Sequence, residues 1–204
     1  RPRTTPPPQM SRGRSDWAII STSLSTSLWS GSGAFRPWLA ARLRMLPVSR
    51  FCGRAMVLDV SDLPPGSVLT AEFLREREAL FRRAEFLLFC TGWEQRWGTP
   101  AYCDGGFPVP DREAARYLVS RGLKGVGTDA LSVDALEDET YPVHRTLLGG
   151  GLVILESLCL KQALGRGDMT LYALPLKFEN ADGAPVRAVA EFRDVPEGKE
   201  TDAL

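Results

Sequence analysis

Length, composition and charge place this chain among ordinary globular proteins. Its 204 residues are 44% hydrophobic and 25% charged, which is enough for one domain with a full hydrophobic core. The 25 basic and 25 acidic residues cancel, and no run of about eighteen apolar residues is present. Nothing therefore indicates a nucleic-acid partner, an anionic membrane surface or a spanning helix. The four cysteines show neither the CxxC spacing of redox motifs nor the spacing of zinc sites. We therefore expect them to be reduced thiols in a cytoplasmic compartment. They are Cys52, Cys90, Cys103 and Cys159.

Residues 1–53 differ in composition from the rest of the chain. The first 50 residues hold eight arginines, no lysine and a single acidic residue, Asp16, among runs of Pro and Ser. We expect this segment to be mostly disordered, with at most a helix over 34–46. One explanation is a mitochondrial transit peptide. The other is a wrong gene-model start or out-of-frame translation, which the aromatic content and the missing initiator Met favour.

Periodicity and turn residues predict alternating strands and helices after this segment. In chain order they are strand 54–60, helix 69–84, strand 85–90, a helix capped by Asp111 and ended by Gly122, strand 123–127, a short helix around His144 ended by Gly149, strand 152–155, helix 157–164, strand 169–176, a hairpin turn at 180–183 and strand 186–192. Thr70 is placed to cap the first helix, in which Glu78 and Arg82 are four residues apart. The order predicts an α/β domain over 54–195 followed by a frayed tail at 196–204.

Residues 93–110 are predicted to form a loop rich in aromatic side chains. These are Trp93, Trp97, Tyr102 and Phe107. An aromatic loop after a strand could be a lid over a flat aromatic substrate, or it could simply pack on the domain. The residues alone leave both interpretations open.

The sole histidine, His144, and Glu156 at the end of a buried strand are the strongest candidates for a chemical site. Imidazole nitrogen and carboxylate oxygen together suit zinc, manganese or iron. A carboxylate beside a buried run also needs a partner, which can be a metal, a cation or several N–H donors. Two ligands are fewer than a catalytic zinc requires. A core histidine and a solvent-reaching glutamate therefore stay open as alternatives.

Three polar side chains crowd the loop after strand 123–127. They are Asp129, Ser132 and Asp134. Such residues could order a site or supply a third metal ligand. The commoner outcome is that they form Asx and Ser turns.

Six short motifs follow one another between residues 54 and 193. They are Thr91-Gly92-Trp93, 127–134, 141–144, 154–158, Pro175-Leu176-Lys177 and 182–188. Their order and separations resemble the cyclase family of metal-dependent hydrolases, whose best-known members are bacterial kynurenine formamidases. The resemblance implies the swivelling β/β/α fold, which we expect to be incomplete at the N-terminus, and an assembly of two or more copies.

The resemblance also implies a site and a reaction. His144 and Glu156 match metal ligands of the family, which suggests a divalent metal, zinc or else manganese. Thr91, Trp93, Asp129 and Ser132 fall on motifs that bind substrate or support the site. The implied reaction is hydrolysis of an aryl formamide, N-formylkynurenine to kynurenine and formate, in tryptophan catabolism. The family's further metal motif, HxGTHxD, has no counterpart, so no catalytic residue is assigned and we expect weak activity. The alternative is a degenerate member that serves as a binding or subunit partner.

Overall fold

The structure is a computed structural model that describes residues 16–19, 46–176 and 183–192. The helix expected over 34–46 and the tail at 196–204 lie outside the described residues, as does most of the hairpin turn at 180–183 and of the segment expected to be disordered. Within the described part, no helix is long and apolar enough to cross a membrane.

Nine strands and four α-helices make up the described fold. The strands are β1 Asp16–Ile19, β2 Cys52–Asp59, β3 Val68–Leu69, β4 Phe86–Cys90, β5 Val109–Pro110, β6 Gly125–Thr128, β7 Val153–Leu155, β8 Met169–Tyr172 and β9 Val189–Phe192. The α-helices are α1 Ala71–Glu76, α2 Glu78–Phe81, α3 Arg112–Ser120 and α4 Pro142–Gly149. Short 3-10 helices cover Val48–Arg50, Trp93–Arg96, Pro100–Cys103 and Lys161–Ala163.

The main sheet has seven strands in the order β1-β9-β8-β2-β4-β6-β7. The strands β2, β4, β6 and β7 are mutually parallel, whereas β8, β9 and β1 pair antiparallel. The strands β3 and β5 form a separate parallel pair. Helices between the parallel strands supply the crossovers that such pairing requires. The predicted α/β class is confirmed.

The central strand β4 explains how the core is layered. All five of its residues are buried, and successive side chains point to opposite faces. Phe86 and Leu88 pack into one apolar cluster, and Leu87 and Phe89 pack into a second cluster on the other face. Each helix contributes buried side chains to the second cluster. These include Leu74 of α1, Phe81 of α2, Leu118 of α3 and Leu147 of α4.

Two predicted helices are shorter in the structure. The helix expected over 69–84 begins under a Thr70 cap, as predicted, but breaks at Arg77, whose backbone (φ −105°, ψ 5°) is not helical. Glu78 pairs with Arg121 at 3.1 Å rather than with Arg82, which directly follows the second helix. The helix expected over 157–164 is reduced to one 3-10 turn, because Ser157 has a φ of 57° and its N–H bonds to Ala130 instead.

The described part of the segment 1–53 takes part in the sheet and core. The strand β1 pairs antiparallel with β9 along one edge. Phe51 is buried in the first apolar cluster, and β2 begins at Cys52, two residues before the expected domain start.

Candidate functional site

The carboxyl ends of three parallel strands meet at one edge of the sheet. Phe89 of β4 is paired with Thr128 of β6, and Gly127 of β6 is paired with Leu155 of β7. The residues directly after the strands therefore lie side by side. They are Thr91, Asp129 and Glu156. All three are buried, with side chains that must find polar partners inside the protein.

His144 lies between two carboxylates. Its Nδ1 is 2.7 Å from Oδ2 of Asp134, and its Nε2 is 3.3 Å from Oε1 of Glu156. The same Glu156 oxygen accepts the N–H of Val133 at 3.2 Å. The structure thus brings together the two predicted metal ligands and adds Asp134, which the sequence named as a residue that could order the site.

Local backbone geometry sets the start of the helix that carries His144. Pro142 occupies the first turn of α4, where its missing N–H is not needed. Tyr141 before it has a φ of 50° and Ser157 has a φ of 57°, so a non-glycine residue in the left-handed region lies next to each segment of the site. Such conformations carry strain of about 1–3 kcal/mol each and cluster at functional sites.

Electrostatics favour the charged form of the imidazole. Burial alone would lower the pKa of His144, but hydrogen bonds with Asp134 and Glu156 and the charges of both carboxylates raise it to about 9. Burial raises the pKa of Glu156, and the contact with His144 only partly opposes that rise. The two carboxylates therefore favour a proton on the imidazole, against the effect of burial.

The same atoms fit two positions of a metal site. Zinc takes imidazole nitrogen and carboxylate oxygen at about 2.0–2.2 Å, and two such donors at a tetrahedral angle are about 3.3 Å apart. The His144 and Glu156 atoms have that separation. A metal ion would displace the proton from Nε2 while Nδ1–H remains on Asp134. Among the described residues, no group of three or more His, Cys, Asp and Glu side chains is arranged to hold a metal.

A second group of hydrogen bonds surrounds Asp129. Its Oδ1 accepts the N–H of Thr91 at 2.8 Å and the hydroxyl of Thr91 at 2.6 Å. Its Oδ2 accepts the N–H of Glu94 at 3.4 Å. Burial raises the pKa of Asp129, and these donors oppose the rise. Asp129 therefore fixes the loop after β4 through these contacts.

Among the described residues, neither Asp129 nor Asp134 joins His144 and Glu156 as a third metal ligand. Both oxygens of Asp134 are engaged with the first turn of α4, and both oxygens of Asp129 are engaged with the loop after β4. Ser132 accepts the N–H of Asp134 at 3.1 Å, which is the Ser turn named above as the commoner outcome. The donor set is thus His144 and Glu156 alone within the described chain.

The aromatic residues of the loop 93–110 form a small core of their own. Trp93, Tyr102 and Phe107 are buried, and the Trp93 and Phe107 rings meet edge to face with centroids 5.4 Å apart. The Trp93 indole N–H donates to the carbonyl of Tyr102 at 2.9 Å, and the Tyr102 hydroxyl donates to the carbonyl of Asp129 at 3.0 Å. This part of the loop packs on the domain. Only Trp97 among the four aromatic residues is substantially exposed, at 53%.

Comparison with known proteins identifies the family. A family model described as "Putative cyclase" matches residues 20–135, more than half of the chain. The kynurenine formamidase of Salinibacter ruber is 38% identical over 157 residues, which cover 74% of this chain and 68% of that protein. The chain belongs to the cyclase family. The match begins upstream of residue 54, where the sequence placed the domain start.

Solved structures of cyclase-like hydrolases share the fold. An isatin hydrolase bound to the product analogue thioisatinate is 27% identical with a TM-score of 0.68, and the match covers 77% of this chain and 68% of that one. A "predicted metal-dependent hydrolase" from Bacillus stearothermophilus is 28% identical with a TM-score of 0.59, covering 71% and 66%. The fold expected from the resemblance is confirmed. The chain spans about two thirds of the length of these three proteins.

Proposed function

We propose that this cyclase-family chain is a metal-dependent hydrolase of an aryl formamide, with N-formylkynurenine as the substrate. The observation that carries the proposal is the pair of donor atoms on His144 and Glu156, 3.3 Å apart at the carboxyl edge of the sheet. The kynurenine formamidase of Salinibacter ruber supports the substrate class, and the metal-dependent hydrolase of Bacillus stearothermophilus supports the use of a metal. Hydrolysis would give kynurenine and formate, a step of tryptophan catabolism.

His144 and Glu156 would hold the divalent metal, which we propose to be zinc, with manganese as the other candidate. When bound, such an ion supplies a Lewis acid for the formyl carbonyl and lowers the pKa of a coordinated water toward neutrality. Glu156 adds negative charge and His144 a neutral donor, each held in place by protein hydrogen bonds. Further ligands are needed for a complete catalytic site.

The remaining predicted site residues act as supports. Thr91 donates hydrogen bonds from both its N–H and its hydroxyl to Asp129. The Trp93 side chain is buried in the aromatic cluster. Ser132 shapes the turn that leads to Asp134. We therefore propose that Thr91, Trp93, Asp129 and Ser132 position the loops around the substrate rather than react with it.

Proton transfer limits the expected rate. His144 is the sole histidine and would be used as a metal ligand, so no second imidazole is available to protonate the departing amine. General acid–base catalysis typically contributes about 10²–10⁴-fold. We therefore expect slow, metal-dependent turnover.

We also propose that the protein is cytoplasmic and assembles into a homo-oligomer.

Turnover of N-formylkynurenine with added zinc or manganese tests the proposal. The chain should hydrolyse the substrate slowly, His144→Ala should abolish turnover, and the exposed control Glu72→Gln should leave it unchanged. A second variant with a grafted HxGTHxD segment should be faster. If the wild type and the grafted variant both bind metal but neither hydrolyses the substrate, the protein is better described as a binding partner than as an enzyme. Failure of both forms to bind metal would contradict the proposed site.

A further inference from the structure

Asp134 makes a set of contacts that the proposed function does not yet use. Its side chain is only 2% exposed. Both of its carboxylate oxygens accept N–H groups from the first turn of α4. Oδ1 accepts the N–H of Val143 at 2.8 Å, and Oδ2 accepts the N–H of His144 at 2.9 Å. The same Oδ2 is 2.7 Å from Nδ1 of the His144 ring. One carboxylate therefore holds both the backbone and the side chain of His144.

The two backbone contacts fix the position of the His144 backbone, from which the imidazole extends. The first N–H groups of a helix have no partner within the helix and carry partial positive charge. Asp134 satisfies those of Val143 and His144 from outside α4, eight residues before the helix starts at Pro142. A rotation or shift of this turn would move the His144 ring away from Glu156.

The ring contact fixes which nitrogen is free. Oδ2 of Asp134 already accepts the backbone N–H of His144, so we assign the ring proton to Nδ1, which donates to the same oxygen. Nε2 then faces Glu156 and is the nitrogen that can give its lone pair to a metal. A histidine ligand whose other nitrogen donates to a carboxylate is oriented and made more basic, and loss of such a partner typically weakens metal binding about 10–100-fold.

We propose that Asp134 is a positioning residue, which sets the orientation and tautomer of His144 for metal binding through one carboxylate shared between a helix terminus and the imidazole. This inference rests on the proposed metal site. It assigns Asp134 no contact with the metal or the substrate. It differs from a purely structural cap because it predicts an effect on the ring nitrogen and not only on stability.

The sole histidine allows a direct test on the metal-free protein. With ¹⁵N-labelled histidine, the ring gives a single pair of nitrogen signals that needs no assignment. The wild type should show a strongly downfield Nδ1–H proton that exchanges slowly with solvent. Asp134→Asn should shift it upfield and speed its exchange, and Asp134→Ala should remove it. Absence of this proton signal from the wild type would overturn the proposal, even if neither variant folds.

Zinc affinity, measured by competition with a chromophoric chelator, gives the second readout. Asp134→Asn should bind about 10–100-fold more weakly than wild type. The matched control is Asp111→Ala, because Asp111 caps α3 through the N–H of Ala114 at 2.6 Å and has no contact with the imidazole among the described residues. It should lower stability and leave both the ring signals and zinc affinity unchanged.

The outcomes separate this inference from the proposed function. Weaker zinc binding in Asp134→Asn, with no change in Asp111→Ala, supports positioning. Equal zinc affinity of Asp134→Asn and wild type overturns the positioning role while the metal site stands. Equal losses in the Asp134 and Asp111 variants reduce Asp134 to a structural cap and also overturn it. If the wild type binds no zinc, the proposed function itself fails.

Discussion

The Asp129 group offers the sharpest prediction about what holds the candidate site together. Asp129→Ala removes the acceptor of the Thr91 N–H at 2.8 Å and of the Thr91 hydroxyl at 2.6 Å, both in a fully buried position. Hydrogen bonds to charged groups contribute about 1.5–3 kcal/mol each, so the gross loss is about 3–6 kcal/mol. The long contact with Glu94 adds little.

Part of that loss is offset. Burial raises the pKa of Asp129, which means that the ionised carboxylate is already destabilised by its surroundings, and its removal relieves that penalty. We therefore expect Asp129→Ala to lower the free energy of unfolding by about 2–4 kcal/mol. Asp129→Asn keeps one oxygen for Thr91 and should lose about half as much.

Urea unfolding of the wild type and variants measures these differences. The exposed control Asp62→Ala should change the free energy of unfolding by less than about 0.5 kcal/mol. A double-mutant cycle with Thr91→Val should give a coupling free energy of at least about 1 kcal/mol. A loss below about 1 kcal/mol for Asp129→Ala, or no coupling to Thr91, would refute the hydrogen-bond account.

Three further predictions concern the sheet, an ion pair and assembly. Gly127→Ala places a Cβ 2.7 Å from a Leu88 methyl carbon and should lower the free energy of unfolding in urea by about 1–3 kcal/mol. The control Gly149→Ala has open space around the new Cβ and should be neutral or stabilising. Equal effects of the two substitutions would contradict the packing argument. A hydrogen bond from Lys124 lowers the pKa of the Glu85 carboxyl from its ordinary value of 4.5. The Glu85–Lys124 pair therefore stabilises the fold above the ordinary pKa, and this stabilisation is lost as the pH falls through the lowered pKa. Glu85→Gln should therefore flatten the acid side of the stability profile, and an unchanged profile would count against the pair. Sedimentation at tens of micromolar should show self-association, and a monomer would contradict the oligomer.

Sequence reasoning located the helix of His144 and the strand end at Glu156 because both have local signals. Pro142 marks a helix start, glycines from Gly149 onward end it, and an apolar run of four residues precedes Glu156. Parallel pairing then brings such strand ends to one edge, which the alternation of strands and helices already implied. These elements agree with the structure to within about two residues.

The role of Asp134 had no such local signal. Its hydrogen bonds reach Val143 and His144, nine and ten residues away, across a loop whose path depends on tertiary packing. A sequence shows that a carboxylate is present in a loop but not which N–H groups it meets. The same limit applies to Asp129, whose partner Thr91 is 38 residues distant.

The break at Arg77 shows a different limit. The apolar spacing from Phe73 to Phe81 suits one continuous helix, and no glycine or proline interrupts it. In the structure the Arg77 guanidinium lies over the Phe73 ring at 3.8 Å and bonds to the Phe73 carbonyl, while Phe81 is buried in the core. Tertiary packing of the second segment therefore overrides the helical pattern.

The central claim is that His144 and Glu156 are the protein ligands of a metal at the carboxyl edge of the sheet. Crystals soaked in zinc and measured at the zinc absorption edge test it most directly. We predict an anomalous peak about 2.0–2.2 Å from Nε2 of His144 and from a Glu156 oxygen, with Nδ1 still on Asp134. An intact contact between His144 and Glu156, with zinc bound elsewhere or not at all, would contradict the account.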